Sequence, residues 1–239
     1  MGRKLQPSAE VRDTFHMYGG SWIWLDEPEF VQLSREVRRA LLVQREATGR
    51  LGQLKSSQRH LVDSRRTDTR IVWWPPLLQR VGDEPLVAYV EEGVRPSRHD
   101  EVDPTVWSAA RGRLPGAAGL AGTFPPASGP NCFGTVMAAA CVPSAESEWM
   151  LQAPFEEWLA AHAVPIRGAA RDHEPGVVLV WRAADGLAAH AAVTVGKGYA
   201  LSKPSQAWCS PRLVWRVRET INASRYPGLS LSRHLISGP

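Results

Sequence analysis

The sequence predicts an α+β fold in which helices come first and an antiparallel sheet follows. Apolar residues recur at nearly helical spacing between residues 26 and 66. Short apolar runs such as "GVVLVWRA" and "HAAVTVG" come later, and the tight connections "ADGLAA" and "GKG" separate them, as is typical of antiparallel strands. Helices followed by such strands favour an α+β arrangement.

The first half of the chain, residues 1–115, is expected to be a mainly helical, arginine-rich region. Its predicted helices begin at Asp26, a good N-cap, and Gly49 and Gly52 are expected to separate two of them. The basic side chains have two interpretations, a solvated helix face or a stripe that attracts a polyanion. In the second interpretation the candidate substrate-binding arginines are Arg38, Arg39, Arg65 and Arg66.

The second half, residues 116–239, is expected to be the domain that carries the chemistry. Residues 114–130 are rich in Gly, Pro, Ala and Ser, which indicates a loop between the halves. A short helix is predicted after Asn131, and "APFEEWLAAHAV" predicts a second helix that Pro154 opens. Four strands are predicted at "GVVLVWRA", "HAAVTVG", "GYALSKPS" and "RLVWRV".

Cys132 stands at the predicted start of the first of these helices. A thiol attacks as its thiolate, and N–H groups at a helix start favour negative charge, so we expect the pKa of Cys132 to be lowered there. The same N–H groups would hold the oxyanion that forms when a carbonyl is attacked. His190 opens a later strand and is the expected base, and a hairpin would bring Ser202 beside it to orient the ring.

The other cysteines and histidines are weaker candidates for chemistry. Cys141 is predicted to lie in the core, Cys209 to be inert, and His162 to lie on a helix face. His99, which has acidic neighbours, is the rival base. The spacing of these residues matches no metal-binding motif, so neither a metal nor another cofactor is expected.

Residues 116 to about 215 resemble the papain-like fold in its NlpC-type form, a family of cell-wall peptidases and amidases with related acyltransferases. The resemblance rests on "NCFG", "EPGVVLVW" and "HAAVTVGKGYAL". It implies a papain-like catalytic domain with a helix packed on an antiparallel sheet, and a catalytic pair of Cys132 and His190. It also implies a third polar position near Ser202, with Lys203 and Gln206 close by as candidates for substrate binding.

The resemblance implies acyl chemistry through a thioester acyl-enzyme. The start of the chain lacks the apolar stretch of a secretory signal, no run approaches the roughly 20 apolar residues of a membrane span, and three cysteines fit a reducing interior. A cytoplasmic enzyme without membrane contact is therefore expected.

The donor expected from this setting is aminoacyl-tRNA or a carrier-protein thioester, and the acceptor is an amine. In overall composition the chain resembles tRNA-dependent aminoacyltransferases of the valanimycin-transferase type, and this resemblance implies a role in natural product biosynthesis. One alternative is a thiol peptidase or amidase that hydrolyses a peptide or amide bond. The other is a catalytically inactive papain-like binding module, which Phe133 beside the cysteine and Ser202 at the orienting position would suit.

Overall fold

The computed structural model describes residues 32–40, 53–54, 71–72, 96–207 and 210–238. The chain divides into two compact units, Met1–Arg95 and Pro96–Pro239. In the first unit residues 35–40 are helical, and β1 (Gln53–Leu54) pairs antiparallel with β2 (Ile71–Val72). The predicted helical stretch is therefore wrong at residues 53–54, which form a strand.

The second unit begins at Pro96, earlier than the predicted boundary between residues 115 and 116. Val106 and Leu114 are buried in the core of this unit, at 3% and 1% exposure. The backbone N–H of Arg98 also donates to the carbonyl of Val214 at 2.7 Å, in one of the sheet strands. The segment before residue 116 belongs to the second unit because its apolar side chains complete the core there.

A six-stranded sheet forms the centre of the second unit. Its order is β3–β8–β4–β5–β6–β7, and all neighbouring strands are antiparallel. The four predicted strands are present, whereas β3 and β8 were not predicted. The strands are β3 (Ala163–Ile166), β4 (Pro175–Arg182), β5 (Ala188–Gly196), β6 (Tyr199–Ser202), β7 (Leu213–Arg216) and β8 (Ser230–Ile236).

Five α-helices surround this sheet in the described part of the second unit, and the two predicted helices are among them. Helix and sheet together confirm the α+β class. The helices are α1 (Pro104–Ala110), α2 (Ala117–Leu120), α3 (Cys132–Ala139), α4 (Gln152–His162) and α5 (Val217–Ala223).

The two faces of the sheet bury separate apolar clusters. The larger cluster joins residues of α1 to α4 with alternate residues of the central strands, such as Ala191 and Val193 of β5. The smaller one lies on the opposite face and includes Trp181, Ala192 and Val217 of α5. This division follows from the strand geometry, because successive side chains point to opposite faces.

Two irregularities in β5 shape the region around His190. His190 pairs with Trp181 and Ala188 pairs with Arg182, so Ala189 is an extra, bulged residue between them. On the other side of β5, the ladder to β6 ends where Ala192 pairs with Ser202. A bulge bends a strand and redirects its side chains, and the end of a ladder leaves backbone groups open to other partners.

Candidate active site around Cys132

Helix α3 begins with Cys132 because Asn131 caps it. The backbone of Asn131 is extended, and its side-chain oxygen accepts the N–H of Gly134 at 3.0 Å. Its side-chain amide donates to the carbonyl of Met150 at 2.7 Å, which fixes the turn that leads into the helix. A Cβ at Gly134 would collide with the carbonyl oxygen of Ala145, so the glycine of "NCFG" allows the helix to lie against that segment.

The sulfur of Cys132 lies in a buried position against the start of β5. Burial raises the pKa of the Cys132 thiol to about 11, although the backbone N–H groups of Ala191, Phe133 and Cys132 itself and the charge of Lys203 all lower it. The helix start therefore acts on the pKa in the predicted direction, but desolvation outweighs it. The thiol is neutral at pH 7.

His190 lies next to Ala191, the residue whose N–H faces the sulfur. Its ring contacts that of Trp181, its partner across the strands, with centroids 5.2 Å apart. Burial lowers the pKa of His190 to about 4, so the imidazole is also neutral at pH 7. Among the described residues no hydrogen bond joins this imidazole to the thiol. The ring lies with Trp181 on the face of the smaller cluster, whereas Cys132 belongs to the larger cluster on the other face.

Ser202, the predicted orienting group, shares a sheet face with His190. It pairs with Ala192, two residues along β5 from His190, and is 2% exposed. No hydrogen bond between Ser202 and His190 is present in this described stretch of the sheet. The hairpin therefore brings the serine to the same face as the histidine, as expected, without a direct bond to the ring.

Lys203, predicted to bind substrate, has a different environment from the one expected. Its side chain is completely buried, and its ammonium donates to the carbonyls of Ser205 at 2.5 Å, Ala207 at 3.0 Å and Ser210 at 2.9 Å. This placement does not fit direct contact with substrate. Gln206 is half-buried, and its carbonyl accepts the N–H of Gly129 at 2.9 Å, in the turn that precedes Cys132.

Two residues of α4 that the sequence did not single out hold the bulged start of β5. A carboxylate oxygen of Glu156 accepts the N–H of Ala188 at 2.9 Å, and the side-chain amide of Gln152 donates to the carbonyl of Ala188. Glu156 also pairs with Arg182 at 2.6 Å. Burial raises the pKa of Glu156, but its bonds to Arg182 and Ala188 outweigh this and leave it below the ordinary value.

The remaining candidates lie away from these contacts or outside the described residues. The rival base His99 bonds to Ser97 at 3.0 Å and lies 3.5 Å from a carboxylate oxygen of Asp100. Cys141 is exposed just beyond the end of α3, so its predicted place in the core is wrong. In the first unit Arg38 is half-buried and Arg39 exposed. Arg65, Arg66 and Cys209 lie outside the described residues.

In the ranges that the structure describes, no group of three or more His, Cys, Asp or Glu is arranged to hold a metal ion. Within the same ranges, no helix combines the length and apolarity that crossing a bilayer requires. A scan against protein-family models and searches of curated proteins and solved structures gave no match to the chain.

Proposed function

We propose that the chain is a cysteine-dependent acyltransferase in which Cys132 carries the acyl group and His190 moves the proton. The observation that supports this most directly is the position of the sulfur. It lies at the first residue of a capped helix and faces the backbone N–H of Ala191. Covalent acyl transfer requires such a nucleophile and an imidazole that exchanges its proton, and we assign that second role to His190, the neighbour of Ala191 in β5.

In the first half of the reaction, sulfur attacks the carbonyl carbon of the donor while His190 takes the thiol proton. A C–S bond forms, and the N–H groups at the start of α3 stabilise the negative oxygen. The bond to the donor's leaving oxygen or sulfur then breaks, and His190 returns the proton to that atom. In the second half, an amine attacks the thioester and loses a proton to His190, and the sulfur leaves with that proton as a thiol.

The two pKa values indicate when the proton moves. A thiol pKa of about 11 and an imidazole pKa of about 4 both oppose a preformed thiolate–imidazolium pair. We therefore infer that proton transfer accompanies the attack on the carbonyl rather than preceding it.

The proposed donor is aminoacyl-tRNA or a carrier-protein thioester. Arg35 and Arg39 are exposed one helical turn apart in the first unit, and the chain has a net charge of +4. Arginine suits bidentate contact with phosphate, which both donors carry. If phosphate contacts hold the donor, binding must weaken steeply as salt is added, because binding releases counterions.

The exposed thiol of Cys141 provides the control for the test of this function. The full chain is incubated with an aminoacyl-tRNA or an acyl thioester, and its intact mass is followed, with the site located by peptide mapping. We expect an acyl adduct on Cys132 that is absent from Cys132→Ala and retained in Cys141→Ala, which loses an exposed thiol instead. An adduct that persists in Cys132→Ala, or full turnover by that variant, would contradict the proposal.

A peptidase or amidase would use the same acyl-enzyme and differ only in its acceptor. Adding an amine to the acylated protein separates the two. For the transferase, release of the acyl group depends on the amine. For the hydrolase, it proceeds at the same rate in water alone.

The raised pKa of Cys132 and the missing thiol–imidazole bond favour a second candidate, an inactive binding module. Iodoacetamide alkylates the thiolate. In either case the rate of alkylation should therefore rise with pH until the pH reaches the pKa of Cys132, about 11. What distinguishes the two is acylation. The binding module binds the donor without forming an adduct on Cys132, whereas the enzyme forms one.

A further inference from the structure

The segment that follows β6 is built around the buried ammonium of Lys203. The ladder between β5 and β6 ends with Ala192 and Ser202, and Lys203 is the next residue of the chain. Three carbonyl acceptors surround its nitrogen, at 2.5 to 3.0 Å. An ammonium has three N–H donors and no acceptor, so carbonyl oxygens are suitable partners for it in a buried position.

Strand pairing places Lys203 and the thiol of Cys132 at the same end of this ladder. The sulfur faces the N–H of Ala191, the residue of β5 that would come next in the ladder if β6 continued. Lys203, the residue after β6, would pair there if the ladder continued, but the chain turns away instead. The sulfur and the ammonium therefore lie at the same end of the ladder, and the charge of Lys203 favours the thiolate.

A backbone hydrogen bond connects the segment after β6 to the turn before α3. The carbonyl of Gln206, within the segment that Lys203 holds, accepts the N–H of Gly129 at 2.9 Å. Gly129 lies in the turn that enters α3. The lysine thus holds a segment that in turn contacts the approach to Cys132.

We propose that Lys203 is a positioning residue for Cys132, which holds the segment after β6 against the turn before α3 and presents a fixed positive charge to the sulfur. This inference rests on the proposed function, because it gives the lysine a role in preparing the nucleophile. It replaces direct substrate contact, for which the buried side chain offers no free surface.

The test measures alkylation of Cys132 by iodoacetamide in the full chain at pH 9, with the modified cysteine identified by mass spectrometry. The charge of Lys203 lowers the pKa of the thiol, by less than the backbone N–H groups do. Lys203→Met should therefore slow alkylation of Cys132 about threefold, with Cys141 unchanged as an internal reference. Lys203→Arg, which keeps the charge, should recover most of the rate.

A purely structural role predicts the opposite direction. If Lys203 only held the segment in place, Lys203→Met would loosen it, expose the sulfur and accelerate alkylation. Arg212→Met is the matched control: Arg212 is also a buried cation, bonded to Thr123 at 3.0 Å, and it is not among the charges that act on the thiol. An equal loss of rate in that variant, or a faster reaction in Lys203→Met, would overturn the proposal.

A measurement on the unaltered chain covers the case in which Lys203→Met does not fold. A fixed positive charge beside Cys132 should favour anionic iodoacetate over neutral iodoacetamide more strongly at Cys132 than at exposed Cys141. Equal ratios at the two cysteines would overturn the proposal. Neither measurement uses an acyl donor, so a failure here is distinct from a failure of the acyltransferase proposal.

Discussion

Glu156 is the group whose loss should most clearly disturb the start of β5. Its carboxylate accepts the N–H of Ala188 and pairs with the guanidinium of Arg182, and the side chains of this ion pair are only 27% and 20% exposed. Glu156→Ala removes both interactions and leaves a largely buried N–H and part of a guanidinium without acceptors. Hydrogen bonds to charged groups are worth roughly 1.5–3 kcal/mol each when they are buried.

Because the pair is partly solvated and Arg182 keeps its bonds to Gly186 and Ser232, we expect a loss of about 3 kcal/mol for Glu156→Ala. Glu156→Gln keeps an oxygen for the N–H of Ala188 but loses the charge, so about 1–2 kcal/mol is expected. Urea-induced unfolding at pH 7 measures both. Glu157→Ala is the matched control, since the neighbouring Glu157 is exposed and should change stability by less than about 0.5 kcal/mol.

The pH dependence gives the same prediction a second readout. The pKa of Glu156 is lowered in the folded protein, so its stabilising effect is present above the ordinary value of 4.5 and is lost as pH falls through the lower, folded value. The difference between the wild type and Glu156→Gln should therefore be largest near pH 7 and shrink below about pH 4. Equal stability of the Glu156→Ala and Glu157→Ala variants at pH 7 would refute the reasoning.

Two other predictions concern α3 and His190. Gly134→Ala should lower the free energy of unfolding, measured in urea, by about 1–3 kcal/mol, because the new Cβ meets the carbonyl of Ala145. Gly119→Ala should not destabilise, because its new Cβ enters open space. The imidazole of His190 should titrate near pH 4 by NMR, and stability should fall by up to about 3 kcal/mol between pH 6.5 and pH 4 as the unfolded state takes up the proton. A titration near pH 6.5 would contradict the burial of that ring.

The sequence predicted the parts of the fold whose apolar patterns are strong and local. The four strands from β4 to β7 have apolar or alternating runs bounded by turns, and Asn131 marks the start of α3. β3 contains Pro165, which tolerates only an edge position, and β3 indeed lies at the edge of the sheet. β8 is a polar run, "SLSRHLI", whose strand conformation depends on pairing with β3 and β4 rather than on its own pattern.

The sequence predicted that Cys132 begins a helix and that His190 lies in a strand, but it did not predict the bonds around them. Cys132 and His190 follow from a cap signal and a strand start, whereas the bonds from Glu156 and Gln152 to Ala188 span more than 30 residues of sequence and leave no local mark. Lys203 was expected to bind substrate, and its sequence context gives no sign of its burial, because lysine is almost never fully buried. Three carbonyls from the segment after β6 make that burial possible, and only the folded chain brings them together.

The lowered thiol pKa expected at a helix start is the most informative difference between sequence and structure. Helix N–H groups act on Cys132, yet the same packing that brings them close also removes water, and desolvation is the larger effect on both the thiol and the imidazole. Burial moves the two pKa values apart, one upward and one downward, so it opposes an ion pair from both sides. The N–H groups of Ala191, Phe133 and Cys132 itself lower the pKa of the thiol more than the ammonium of Lys203 does, and together they do not offset the loss of water.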